Sequence, residues 1–186
     1  MLNFTLTFQG GYYYEETNFK PAAVLVPDSS DASHRGFGGS GPLRHTAGCG
    51  KQLMKAYDIA PDTNPADNFS DAGSTYYTGY LAAAKRLEIS AGVGNNLYAP
   101  GKEITRQEMF TLLYNALKVI GQLPQGDSGK TLSDFSDSNS VADWAEEAMT
   151  MLVKTGTIGG NAGKMSPTST ATRAEMAQVL YQLYIK

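Results

Sequence analysis

After Glu108 the apolar residues fall at Met109, Leu112, Leu113, Ala116, Leu117 and Ile120. That i, i+3, i+4, i+7, i+8, i+11 spacing is one face of an α-helix. Met176, Val179, Leu180, Leu183 and Tyr184 repeat it near the end of the sequence. Each stripe is preceded by Thr-x-x-Glu, Thr105 to Glu108 and Thr172 to Glu175. This pattern predicts a capping box, in which the Thr hydroxyl accepts from the Glu amide and the Glu carboxylate reaches back to the Thr amide. Ile104 and Met109 stand where a hydrophobic staple closes. Shorter stripes come earlier: Tyr77, Tyr80, Leu81, Ala84 and Leu87, then Ala145, Ala148, Met149 and Leu152. Ser140-Val141-Ala142-Asp143 predicts a further capping box leading into Trp144. The run Gly156–Gly160 ends that helix, because Gly readily takes the left-handed C-cap conformation. Its partner is Glu88-Ile89-Ser90-Ala91-Gly92.

These elements form a tandem repeat. Phe69-Ser70-Asp71 recurs as Phe135-Ser136-Asp137, offset by 66 residues, and Thr105-Arg106 recurs as Thr172-Arg173, offset by 67. Between these marks the order is the same in both copies: an aromatic (Tyr76, Trp144), an alanine-rich segment, a Gly-containing loop, then Pro100 or Pro167. The predicted organisation is one repeat over 67–123, a solvated linker over 124–132 and a second repeat over 133–186. Residues 51–66 read as the remnant second helix of an earlier copy and its linker, since Gln52–Ile59 resembles such a helix end. His45-Thr46-Ala47-Gly48, sixty residues before Thr105–Glu108, has lost the motif. Residues 1–50 form an atypical segment. It contains that degenerate copy and two candidate strands, Asn3–Phe8 and Ala22–Val26, the expected tail of an upstream β-domain.

Composition narrows the function. Charged residues make up only 18% and hydrophobic residues 41%. The uncharged polar remainder, rich in Gly, Ser, Thr, Asn and Tyr, suits extracellular proteins that face carbohydrate. A net charge of −3 without a Lys/Arg block argues against nucleic acid. No apolar run approaches a membrane span. Met1–Thr5 lacks a signal-peptide start, leaving a cytoplasmic protein or a piece of a longer chain as alternatives. The single Cys49 excludes an internal disulfide. No His, Cys or carboxylate cluster has ligand spacing, so neither metal nor cofactor is expected. Gly36–Gly41 fits G-x-G-x-x-G, but Pro42 and Gly48 spoil the helix that such a loop must open. Gly50-Lys51 lacks the glycine and the hydroxyl of a phosphate loop. Cys49 with His45 has no orienting acid, so an enzyme reading has little support.

The repeated motifs resemble the S-layer homology family, whose repeat opens with Phe-x-Asp and carries Ile-Thr-Arg-Ala-Glu at its second helix. Ile104-Thr105-Arg106-Gln107-Glu108 and Ala171-Thr172-Arg173-Ala174-Glu175 match it. The match covers about 69–117 and 135–184. Tyr76 stands in place of Trp, and Glu88 in place of Gly. The resemblance implies a mainly α fold, with tandem helix–loop–helix repeats around a central pseudo-trimeric bundle. It implies non-covalent anchoring of a larger bacterial surface protein to a secondary cell-wall polysaccharide, often pyruvylated, outside the cell. It also implies grooves between adjacent repeats, with the motif arginine among the contacts. The competing reading is a helical structural or protein-interaction module that binds no glycan directly.

Arg106 and Arg173 occupy a first helical turn, where the dipole disfavours a cation. Either they hold an anionic sugar substituent beside helix N–H groups, or they pair with Asp71, Asp137 or a neighbouring loop. Trp144 and Tyr76 could stack on sugar rings, although core packing is the stronger reading for an aromatic on an amphipathic helix. Asp71 and Asp137 are better read as turn braces than as ligand contacts. Gly92, Gly160 and Lys164, in the inter-helix loops, complete the candidate polysaccharide-binding set.

Overall fold

A computed structural model describes residues 46–63 and 67–184. The candidate strands, Gly36–Gly41 and His45 lie outside the described residues. Five helices make up the fold: α1 (Thr46–Ala56), α2 (Thr78–Arg86), α3 (Arg106–Val119), α4 (Asp143–Lys154) and α5 (Arg173–Tyr184). The described residues form no sheet, only isolated bridges such as Thr105–Thr170. The protein is mainly α, two helix–loop–helix units after a lone helix.

The second helices are central. Met109, Leu112, Leu113, Ala116 and Leu117 are buried, and Ile120 packs half-buried against the same core. Phe110 and Tyr114, outside the predicted stripe, are buried as well. A helix buried on more than one side is apolar beyond a single stripe, and α3 packs on both α1 and α4. The α1 pattern has the same register. Cys49, Leu53 and Met54 are buried, as are Met109, Leu113 and Tyr114 sixty positions later. Cys49 Sγ lies 3.9 Å from Met176 Sδ on α5. Burial pushes the Cys49 thiol up to about 12, so it is a packing group.

The first helices dock outward. α2 packs on α1 and α4 on α3, so each first helix lies on the helix that precedes it in the chain. α4 ends at Lys154, and Gly156 just beyond it has φ +66°. In the first copy Glu88 takes that left-handed position at φ +57°. The predicted capping box at Ser140–Asp143 does not form. Ala142 is the N-cap of α4, and no side chain caps the helix there. Its amide donates instead to Gln107 Oε1 on α3, at 3.0 Å. A long-range amide oxygen takes the role that the local carboxylate has in a capping box.

Candidate functional site between the repeats

Both capping boxes at the second helices are present. Thr105 N–H donates to Glu108 Oε2 at 2.7 Å, and Thr172 N–H to Glu175 Oε2 at 2.7 Å. In each case the Glu amide donates back to the Thr hydroxyl. The other carboxylate oxygen is what distinguishes the copies. Glu108 Oε1 accepts from Lys102 Nζ at 2.9 Å within its own repeat. Glu175 Oε1 accepts from Arg106 Nη1 of the preceding repeat.

Arg106 is therefore an inter-repeat brace. Its Nε donates to the Met165 carbonyl at 2.8 Å, and its guanidinium lies 5.2 Å from the Phe110 ring centroid. Its side chain is only 12% exposed. The unfavourable dipole at the start of α3 is offset by a carboxylate that caps α5. Backbone pairs close the same junction: Arg106 N–H to Ser169 O, Gln107 N–H to Pro167 O and Ala171 N–H to Ile104 O. Neither Asp71 nor Asp137 is the partner of Arg106. Arg173, its counterpart, is exposed, and its side chain has no hydrogen bond or ion pair among the described residues.

The aspartates tie the opening turn of each repeat to the end of its inter-helix loop. Asp71 accepts the Tyr98 and Ala99 amides at 2.8 Å each, and Asp137 those of Met165 and Ser166 at 2.8 and 2.7 Å. Burial works to raise the Asp137 carboxyl, but these two amides, its own amide and the Lys164 charge together hold it below the usual range. Gly92 and Gly160 lie where a Cβ would overlap a loop carbonyl and the ring of Phe69 or Phe135. Close approach accounts for glycine at both positions. Lys164 is exposed on the loop and pairs through its backbone with Asn161.

Trp144 and Tyr76 are not core residues. They are 56% and 60% exposed, because each sits at the outward start of a first helix. Tyr76 has Lys51 Nζ 4.2 Å from its ring centroid; no ion lies over Trp144 among the described contacts.

A small half-open groove of about 60 Å³ lies at the junction of the two units. Phe110, Ile158 and Val179 give it apolar walls, and Arg106, Thr157, Glu175 and Gln178 give it polar ones. Of this lining the sequence reading singles out Arg106 as a candidate contact, Glu175 as a cap, Thr157–Gly159 within a helix-ending run and Val179 in an apolar stripe. Gln178 and Phe110 carry no motif. The available signal is their i, i+3 or i+4 relation to Glu175 and Arg106.

This architecture defines a tandem helical-repeat module with a groove between its repeats. The S-layer homology domain model matches residues 68–110 and 134–177, and the chain belongs to that family. It is similar to an amylopullulanase of Thermoanaerobacterium thermosulfurigenes (33% identity over 72% of this chain and 7% of that protein). It is also similar to the exoglucanase XynX of Acetivibrio thermocellus (32%, over 72% of this chain and 12% of that protein). An S-layer protein of Bacillus thuringiensis subsp. finitimus matches at 30% identity over 70% of this chain and 16% of its own length. The chain thus spans less than a fifth of each of these relatives. Its repeats are a cell-surface anchoring module of a bacterial envelope, a non-catalytic part in a family that includes attached enzymes.

Proposed function

We propose that this module anchors its polypeptide by binding a secondary cell-wall polysaccharide. The groove between the repeats carries the reading. Sugar rings present C–H faces and hydroxyl edges, and this groove pairs Phe110, Ile158 and Val179 with Gln178, Thr157 and the Arg106–Glu175 pair. Exposed Trp144 offers a second stacking surface at the start of α4. For an anionic substituent, such as a pyruvyl carboxylate, Arg173 is the receptor of choice, because Glu175 already neutralises Arg106. The motif arginines are thus unequal: Arg106 shapes the groove and Arg173 takes charge.

Pull-down on purified cell walls, with and without extraction of the non-peptidoglycan polymer, tests this. Arg173→Ala should weaken binding by about 1.5–3 kcal/mol, the range for a charged hydrogen bond, with the melting temperature unchanged. Unchanged affinity in the folded Arg173→Ala chain would remove the charge assignment. Binding that survives polymer extraction would remove the polysaccharide itself.

A further inference from the structure

Burial equates Cys49, Met109 and Met176 along the three central helices. In that register Gly48 is the counterpart of Glu108 and Glu175, and Thr46 of Arg106 and Arg173. The observed clamp runs from the arginine of one unit to the glutamate of the next, Arg106 to Glu175. Extending that rule round the bundle gives two further seams. From α1 to α3 the arginine is also missing, and Lys102 satisfies Glu108 within its own repeat, so that seam is held by the packing of α1 on α3. The Tyr98 hydroxyl also fills that side, 3.0 Å from where a Cβ on Gly50 would stand. From α5 to α1 the glutamate is missing. Gly48 offers no carboxylate, a Cβ there would meet nothing within 4 Å among the described residues, and Arg173 is exposed.

We propose that the α5–α1 seam, which has neither the ion pair of the α3–α5 seam nor the packing of the α1–α3 seam, is the one that opens first, and that Gly48 is the residue that leaves it open. Apolar contacts such as Cys49–Met176 hold it, without the ion pair that closes the α3–α5 seam. Packing alone permits local opening at lower free energy than the rest of the core. This inference is independent of what the module binds.

Native-state hydrogen exchange on the full chain tests it. Amides of Leu53 and Met54 on α1 should exchange faster than those of Leu113 and Tyr114 on α3. Gly48→Glu should slow the α1 amides by roughly tenfold or more, as a charged clamp would, and leave α3 little changed. Gly48→Gln controls for helix propensity and should do much less. Adding Arg173→Ala to Gly48→Glu should cancel the difference between the two. Uniform exchange of α1 and α3 in the wild-type chain overturns the proposal without any variant. So does a Gly48→Gln effect equal to that of Gly48→Glu, or a Gly48→Glu gain that survives Arg173→Ala.

Discussion

Arg106 and Arg173 hold the same position in two copies of one motif, yet their surroundings differ. Arg106 is nearly enclosed, bonded to Glu175 and the Met165 carbonyl over the Phe110 ring. Arg173 stands in solvent. The difference arises from the neighbour that each repeat meets around the bundle. Arg106 meets an intact copy with its glutamate, whereas the counterpart for Arg173 is Gly48 in a copy that lost the motif. A repeated residue is structural where its neighbour is complete and is left available where the neighbour is eroded.

The largest expected effect breaks that pair directly. Arg106→Ala strands the Met165 carbonyl and one Glu175 oxygen, and should cost about 2 kcal/mol. Arg173→Ala should stay within about 0.5 kcal/mol, as surface changes do. Thermal or denaturant unfolding measures both, and equal losses would erase the distinction.

The capping boxes should behave alike in both copies. Thr105→Ala and Thr172→Ala each remove a local acceptor at a cost of about 1 kcal/mol. A silent Thr172→Ala beside a damaging Thr105→Ala would mean that Arg106, not the box, positions Glu175.

The C-caps of the first helices differ by one residue, Glu88 against Gly156, both at positive φ. A side chain in that region is strained, so Glu88→Gly should stabilise by up to about 1 kcal/mol. Gly156→Ala should destabilise by a similar amount. A melting temperature lowered by Glu88→Gly would show that the Glu88 side chain has a compensating contact.

The smallest effect is on acid stability. Burial works to raise Glu108, but the Thr105 amide and Lys102 hold it below its ordinary 4.5. Asp137 likewise lies below its ordinary 3.8. Carboxyls depressed in the folded state contribute stability above those ordinary values and lose it as pH falls through their folded ones. Unfolding free energy should therefore hold from neutrality to about pH 5 and decline below about pH 4. Asp137→Asn should start less stable and decline less. A decline as steep as that of the wild type would exclude Asp137 from the acid response.

Local physics made much of this legible in the sequence. The i, i+3, i+4 stripes placed α3 and α5 within a residue of where they lie, and Thr-x-x-Glu located both capping boxes, because periodicity and caps depend on residues within one or two turns. The Gly156 helix stop is local for the same reason. Three things needed the tertiary structure. Arg106 meets Glu175 across 69 residues, so no window along the chain contains both partners. Gln107 caps α4 from a different helix, defeating the local box expected at Ser140–Asp143. Trp144 and Tyr76 turned outward although aromatics at helical spacing usually turn in, because among the described residues each first helix packs chiefly against a single other α-helix and starts at the rim. A sequence states which face of a helix is apolar; only the arrangement of the other helices decides which faces are covered and which charges meet.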